Sequence, residues 1–371
     1  MNFYCLVNKL TGFSISKLSQ TLYDRLLKIN ENLHKKIIGQ NYVILKIIDF
    51  LIQRIDKSSG NKPLGIFLFI GPNGVGKKEL AKALGFELFN STQSFISIDM
   101  NRYTQSHSTI QLIDDLSNSI DSQEHKQLRE IVEVRFNGII LFDQIEKAHL
   151  EIFDILSEIL NNVSFIDSNN RIINIKNTII IFTSNIGEEF ILQNKKYLPS
   201  TTTENYYGKL SQIAALIFPR QFLNSLNNIL LFQSLNKSHY YCIIDREIEL
   251  LQERLRERDI QINLTDALIE HILNKFYYLG HGIPLLKKYI TTELWKLIID
   301  MKILRNYRVT IDIDHNQQHQ FQIQQLSSTF HSSRIHKRLN QRSTLKTDNI
   351  FNDNDDDKDF CGPSSKCKRK R

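Results

Sequence analysis

The segment Gly71-Pro72-Asn73-Gly74-Val75-Gly76-Lys77-Lys78 constrains this chain more than any other. Its first and third glycines and Lys77 match the spacing G-x-x-x-x-G-K-[ST], in which backbone N–H groups cradle phosphates, the lysine reaches the outer phosphate oxygens and a final hydroxyl holds Mg²⁺. The hydroxyl is missing, because Lys78 occupies its position. The flanks suit the pattern. Residues 64–70 are an apolar run between Pro63 and Gly71 and read as a buried strand, and residues 79–84 read as the helix that follows. A Gly-rich turn with no ligand is the competing reading. The order strand, loop, helix argues against it and predicts an α/β fold of the P-loop type.

A second buried strand carries an acidic end. Ile139-Ile140-Leu141-Phe142-Asp143 is four apolar residues closed by a carboxylate placed to reach a bound metal. The next position suits a glutamate that activates a water, and it holds Gln144. An amide can hydrogen-bond a water but cannot take its proton.

The blocks around these sites resemble the second ATPase module of the Clp family of AAA+ protein unfoldases, of the ClpC or ClpB type, from about Val7 to Leu326. Thr11-Gly12-Phe13-Ser14-Ile15-Ser16-Lys17-Leu18 resembles the linker before that module, and Leu33-His34-Lys35-Lys36-Ile37-Ile38-Gly39-Gln40 its opening box. The resemblance implies that Ile37 and Ile38 flank an adenine and that Gly71, Pro72, Asn73, Gly74, Val75, Gly76, Lys77 and Lys78 form the phosphate loop. Ile98-Asp99-Met100 with Tyr103 and His107, then Asp143-Gln144-Ile145-Glu146-Lys147-Ala148-His149, then Thr183-Ser184-Asn185-Ile186-Gly187, follow in family order. Asn185 takes the place of the sensor that contacts the γ-phosphate or its water, and Asp143 that of the indirect Mg²⁺ ligand. The implied cofactor is ATP, with Mg²⁺ put in question by Lys78.

The departures fall on the chemistry. The family's intersubunit arginine aligns with Ser225 in Phe222-Leu223-Asn224-Ser225-Leu226-Asn227, and its small-domain arginine with Pro284 in Gly282-Ile283-Pro284-Leu285-Leu286-Lys287. The aromatic pore loop that grips substrate aligns with Asn118-Ser119-Ile120-Asp121, which has no aromatic residue. Between Gly187 and Phe218 only Tyr197-Leu198 comes near the tripeptide that docks a peptidase ring.

Four segments are expected: a linker and leading helix over 1–32, the nucleotide-binding domain over 33–232 with strands near 64–70, 95–99, 139–143 and 178–183, a small α+β domain over 233–326, and a tail over 327–371. The parallel sheet should carry helices on both faces. In the small domain helices are expected near 238–258, from Thr265-Asp266 onward and over 284–304, with a strand at 261–264 and a hairpin of 308–314 with 320–325. The tail is polar, aperiodic and divided into charge blocks, the pattern of disorder. It holds 11 Lys and Arg against 6 Asp, a net +5 of the chain's +7, so the basic balance says little about the folded part. Lys366-Cys367-Lys368-Arg369-Lys370-Arg371 reads as a solvated terminus in preference to a nucleic-acid contact.

At 371 residues and 41% hydrophobic content the chain can bury a full core, and it has no apolar run of membrane-spanning length. Cys5, Cys242, Cys361 and Cys367 form no C-x-x-C pair, which suits a reducing compartment. A zinc site drawn from His331, His336, Cys361 and Cys367 fits no usual spacing. The chain opens at the family linker, as if a gene had been split, and is rich in Ile, Asn and Lys. Those features point to a reduced plastid of the apicoplast type, with a bacterial cytoplasm as the alternative. Two functions compete: an ATP-driven unfoldase acting on unfolded proteins with a Clp peptidase, and a nucleotide-holding subunit that completes a ring with other Clp subunits. A nucleic-acid-binding AAA+ protein is the remote third.

Overall fold

The computed structural model describes residues 15–56, 62–89, 94–105, 108–124, 133–193, 209, 212–256, 259–278, 282–296, 307–313 and 319–325. The tail, the four-ligand zinc candidates, His107 and Tyr197-Leu198 lie outside the described residues. The chain divides into two compact units, one up to Leu235 and one from Asn236.

In the first unit, five strands lie parallel in the order β2-β4-β7-β1-β8. They are β1 (Gly65–Ile70), β2 (Phe95–Asp99), β4 (Gly138–Asp143), β7 (Thr178–Ser184) and β8 (Asn228–Leu231). Every residue of β1, β4 and β7 is buried, the continuous apolar run that a parallel sheet covered on both faces demands. Ile66, Leu68, Ile140 and Phe182 enter the core on one face, and Phe67, Phe69, Leu141 and Ile181 that on the other. Helices α1 (Ile15–Lys36), α2 (Asn41–Asp56) and α3 (Lys77–Phe89) bury Leu33, Ile44, Ile47 and Leu80 in the second core. Helices α4 (Ser108–Glu124) and α5 (Leu150–Asn162) bury Leu112, Leu116, Ile152 and Leu156 in the first. Register places Ile70 beside Ser184 and Asp99 beside Asp143, so the C-terminal strand ends line up. In such sheets that edge is where ligands bind.

The segment aligned with the pore loop departs from expectation. Asn118 to Asp121 is not a loop but part of α4, which continues to Glu124. Nothing in Asn118-Ser119-Ile120-Asp121 breaks a helix, and Ile120 is fully buried in the core. Besides β8, which sequence reasoning also missed, three further short strands escape the sequence pattern: β3 (Glu133–Arg135), β5 (Ser164–Ile166) and β6 (Ile172–Asn174) form a small sheet in the order β3-β6-β5. At three residues each they are too short for alternation to register.

The second unit joins helix α8 (Lys237–Arg256), helix α9 (Asp266–Leu273) and a three-stranded sheet ordered β11-β10-β9, with helices α6 (Glu188–Gln193) and α7 (Arg220–Ser225) belonging to the first unit. Thr265 caps α9 by accepting from Leu268 N–H. β10 (Tyr307–Ile313) and β11 (His319–Gln325) form the antiparallel hairpin, and β9 (Ile260–Leu264) adds to β10 in parallel. Helix α10 (Gly282–Lys288) passes into a wider π-type turn over Tyr289–Leu294 instead of running on as a regular helix. No helix among the described residues is long and apolar enough to cross a membrane.

Candidate functional site

The loop between β1 and α3 is shaped by its backbone. Gly74 and Gly76 have φ of 77° and 101°, a conformation that L side chains rarely adopt. Gly71 lies so close to Phe232 that a Cβ there would meet the Phe232 Cβ at 2.7 Å. Among the described residues, the N–H groups of Gly74, Val75, Gly76 and Lys77 donate to no protein acceptor. Successive unpaired N–H groups ahead of a helix N-terminus form an anion cradle. The residues present therefore fit a phosphate.

Lys77 is buried at the centre of that loop. Its ammonium donates to Gly71 O at 2.5 Å, Pro72 O at 2.8 Å and Asn185 Oδ1 at 2.9 Å. Burial lowers its pKa to about 8, against the opposing pull of Glu146, Glu188 and Asp143. Asn185, at the end of β7, is fixed by its own N–H donating to Glu146 Oε1 at 3.1 Å. Asn73 N–H donates to Glu188 Oε1 at 3.3 Å.

On the other side of the loop, Gln40 ties the opening box to it. Its Nε2 donates to Val75 O at 3.3 Å and Gln233 O at 2.9 Å, while its Oε1 accepts from Gln233 N–H at 3.1 Å. Ile37 is buried in the same core cluster as Val75, and Ile38 is half-buried.

The end of β4 holds a different arrangement. Asp143 is 7% exposed, and its Oδ2 lies 2.5 Å from Lys78 Nζ. Its Oδ1 accepts from Thr183 Oγ at 2.7 Å. Gln144 has φ 57° and ψ 53°, and its N–H donates to the same Thr183 hydroxyl at 3.1 Å. Its side-chain Oε1 accepts from Asn101 Nδ2 at 2.7 Å, and Asn101 is in turn held by Asp99. Glu146 Oε2 is buried with no hydrogen-bond partner among the described residues.

Mg²⁺ requires near-octahedral oxygen ligation and tolerates no cation in its place. Here the hydroxyl of the loop pattern is a lysine, and both oxygens of the carboxylate are engaged, one by that lysine and one by Thr183. The residues present do not fit the ion.

Residues 62–229 match the family model described as AAA domain (Cdc48 subfamily), and residues 235–311 match the C-terminal, D2-small domain, of ClpB protein. The chain belongs to the Clp family of AAA+ ATPases. It is 35% identical over 317 residues to the chaperone protein ClpB of Enterococcus faecalis, covering 84% of this chain and 36% of the relative. The ClpB of Lactococcus lactis is 36% identical over 319 residues, with the same coverage of each chain. The chloroplastic ClpB3 of Arabidopsis thaliana is 34% identical over 291 residues, 78% of this chain and 30% of the relative. The chain thus spans about a third of the length of these curated relatives.

Ser225 and Pro284, expected from the resemblance to stand where the family has arginines, are quiet residues. Ser225 ends α7, and its hydroxyl donates to Phe222 O of the same helix at 2.6 Å. Asn227, two residues on, ties β8 to β1 by donating its N–H to Ile66 O and accepting from Ile66 N–H, each at 2.8 Å. Pro284 sits exposed in the first turn of α10, where a helix tolerates proline. Lys287, on the same helix, pairs with the buried Glu247 at 3.3 Å.

Sequence reasoning assigned no separate role to Glu146, Thr183, Asn101 or Gln40. Thr183 carried a signal: it is a polar residue near the end of the apolar run Thr178-Ile179-Ile180-Ile181-Phe182, and a buried hydroxyl needs a partner. The Asn101–Gln144 contact spans 43 positions and left no local trace.

Proposed function

We propose that this chain is a nucleotide-holding subunit of a Clp-type ring that binds ATP and turns it over negligibly. The observation that carries the reading is the end of β4: Asp143 is paired with Lys78 and bonded by Thr183, and Gln144 beside it has no base to offer. A general base contributes about 10²–10⁴ in rate, and an arginine from a neighbouring subunit about 10³–10⁵. The aligned positions hold Gln144 and Ser225. The phosphate cradle supports binding all the same, because it is made of backbone and of Lys77.

The relatives are named chaperones, so the ring is read as one of protein quality control, built with other Clp subunits and acting on unfolded proteins. The helical course of residues 118–121, with Ile120 in the core, favours a subunit that occupies a ring position without gripping substrate. Partnership with a Clp peptidase has less support, since the nearest docking-like pair is Tyr197-Leu198.

The test is ATP affinity by calorimetry together with phosphate release, on the purified chain alone and mixed with an intact Clp paralogue. Binding lost in Lys77→Ala, with negligible release from the chain alone and no release in a mixture beyond what the paralogue's own sites supply, supports the reading. Steady turnover at the rate of an intact paralogue, abolished by Lys77→Ala, overturns it. Assembly is read by light scattering: a stable homohexamer that threads an unfolded protein would count against a ring-completing role.

A further inference from the structure

Asp143 is a buried carboxylate, and a buried carboxylate needs a compensating charge. The compensation comes from within the chain: Lys78 Nζ at 2.5 Å. Charge-assisted contacts of that length are the strong ones. The Lys78 side chain is 54% exposed, so its stem lies against solvent while its tip reaches the carboxylate. The same ammonium is felt by Asp99, next to β4 in the sheet, and by Lys77 in the phosphate loop. It therefore stands at the junction of the strand ends and the loop.

Any divalent cation there would face a fixed positive charge within a few ångströms, with no hydroxyl at position 78 to ligate it and with Asp143 already paired to Lys78 and bonded by Thr183. A triphosphate faces the opposite situation, two lysine ammoniums on adjacent residues, each a compact point charge suited to phosphate.

We propose that Lys78 is a built-in counter-ion that takes the place of the divalent cation, so that this site binds nucleoside triphosphate in its metal-free form. The inference rests on the reading of the loop as a nucleotide site. It concerns which ionic form of the nucleotide is taken, a property distinct from turnover.

The experiment titrates the full chain and its Lys78→Thr variant with ATP, once in Mg²⁺ and once in EDTA, following affinity by calorimetry and folding by thermal melting. The wild type is expected to bind about tenfold or more tightly in EDTA than in Mg²⁺, because Mg²⁺ sequesters the metal-free nucleotide, whereas Lys78→Thr should lose about tenfold or more in EDTA and recover in Mg²⁺. Equal wild-type affinities in the two media would overturn the preference for the metal-free form. A tenfold or larger loss in the wild type on chelation overturns the counter-ion while leaving the nucleotide site intact. Absence of binding in both media overturns the nucleotide reading itself, and the counter-ion with it. Should Lys78→Thr melt before it can be titrated, the comparison on the wild type decides alone. A second measurement uses Mn²⁺ as a paramagnetic probe of the ATP-bound chain: an unshifted free-ion signal is expected, and immobilised Mn²⁺ would overturn the proposal.

Discussion

The loop after β1 and the end of β4 lie at the same edge of one sheet, yet they differ in what they are made of. The first is backbone geometry fixed by Gly74, Gly76 and the close approach of Gly71 to Phe232. The second is side-chain chemistry at Asp143 and Gln144. Backbone geometry is held by packing on every side, so it cannot be altered without disturbing the core. Side chains at a strand end can change while the strand stays in place. A phosphate cradle can therefore sit next to a rim that no longer supports hydrolysis, and the two halves should respond separately to perturbation.

The largest effect should come from removing what both halves share. Phe182 stacks on Phe142 at 5.1 Å and meets Phe222 edge-on at 4.9 Å. Phe182→Ala should cost about 3–5 kcal/mol in denaturant unfolding and weaken nucleotide binding as well. A variant that loses stability but binds ATP as before would show the cradle to be independent of the core beneath it.

The rim can be rebuilt without touching the cradle. Gln144→Glu alone should leave turnover near that of the wild type, because Lys78 still occupies Asp143. The pair Gln144→Glu with Lys78→Thr should raise phosphate release by about 10²-fold, far more than the two single changes combined. Equal release from the pair and from Gln144→Glu alone would place the block elsewhere.

The cradle has its own signature in pH. With its pKa lowered to about 8 by burial, Lys77 loses its charge as pH rises through that value, and ATP affinity should fall by up to about tenfold per unit above it. The stability trend has the opposite sign. Between pH 8 and the ordinary lysine value the unfolded chain binds more protons than the folded one, so the nucleotide-free protein should gain stability as pH rises there. Lys77→Met should flatten that rise in denaturant midpoints.

The smallest effect belongs to Asp99. Its carboxylate accepts from the N–H and then the side chain of Asn101, which together hold its pKa below the usual value. A depressed carboxylate stabilises above the unfolded pKa of about 3.9, and that contribution is lost as pH falls through the folded value. Asp99→Asn should cost about 0.5–1.5 kcal/mol at neutral pH, and the gap between the two melting curves should narrow as pH falls into the acid range.

Which parts could be read from the chain follows the same division. Residues 64–70 and 139–143 announced themselves as buried strands, and the glycine spacing announced the loop, because each is a local pattern. The Lys78–Asp143 pair joins residues 65 positions apart and depends on β7 lying between β1 and β4, a topology that no local pattern carries. Lys78 was legible as a missing hydroxyl but not as a partner for Asp143. The course of residues 118–121 was misread as a loop because the resemblance outweighed the helical spacing of Leu112, Leu116 and Ile120. The parallel addition of β9 to β10 was likewise invisible, being a long-range pairing of two short strands.

The three hydrogen bonds that Lys77 donates to Gly71, Pro72 and Asn185 also bear on time. An incoming anion must take the ammonium from acceptors that already satisfy all three of its protons, so association is an exchange with a barrier of its own. Its observed rate should level off at high nucleotide concentration, at the frequency with which the lysine lets go of its loop.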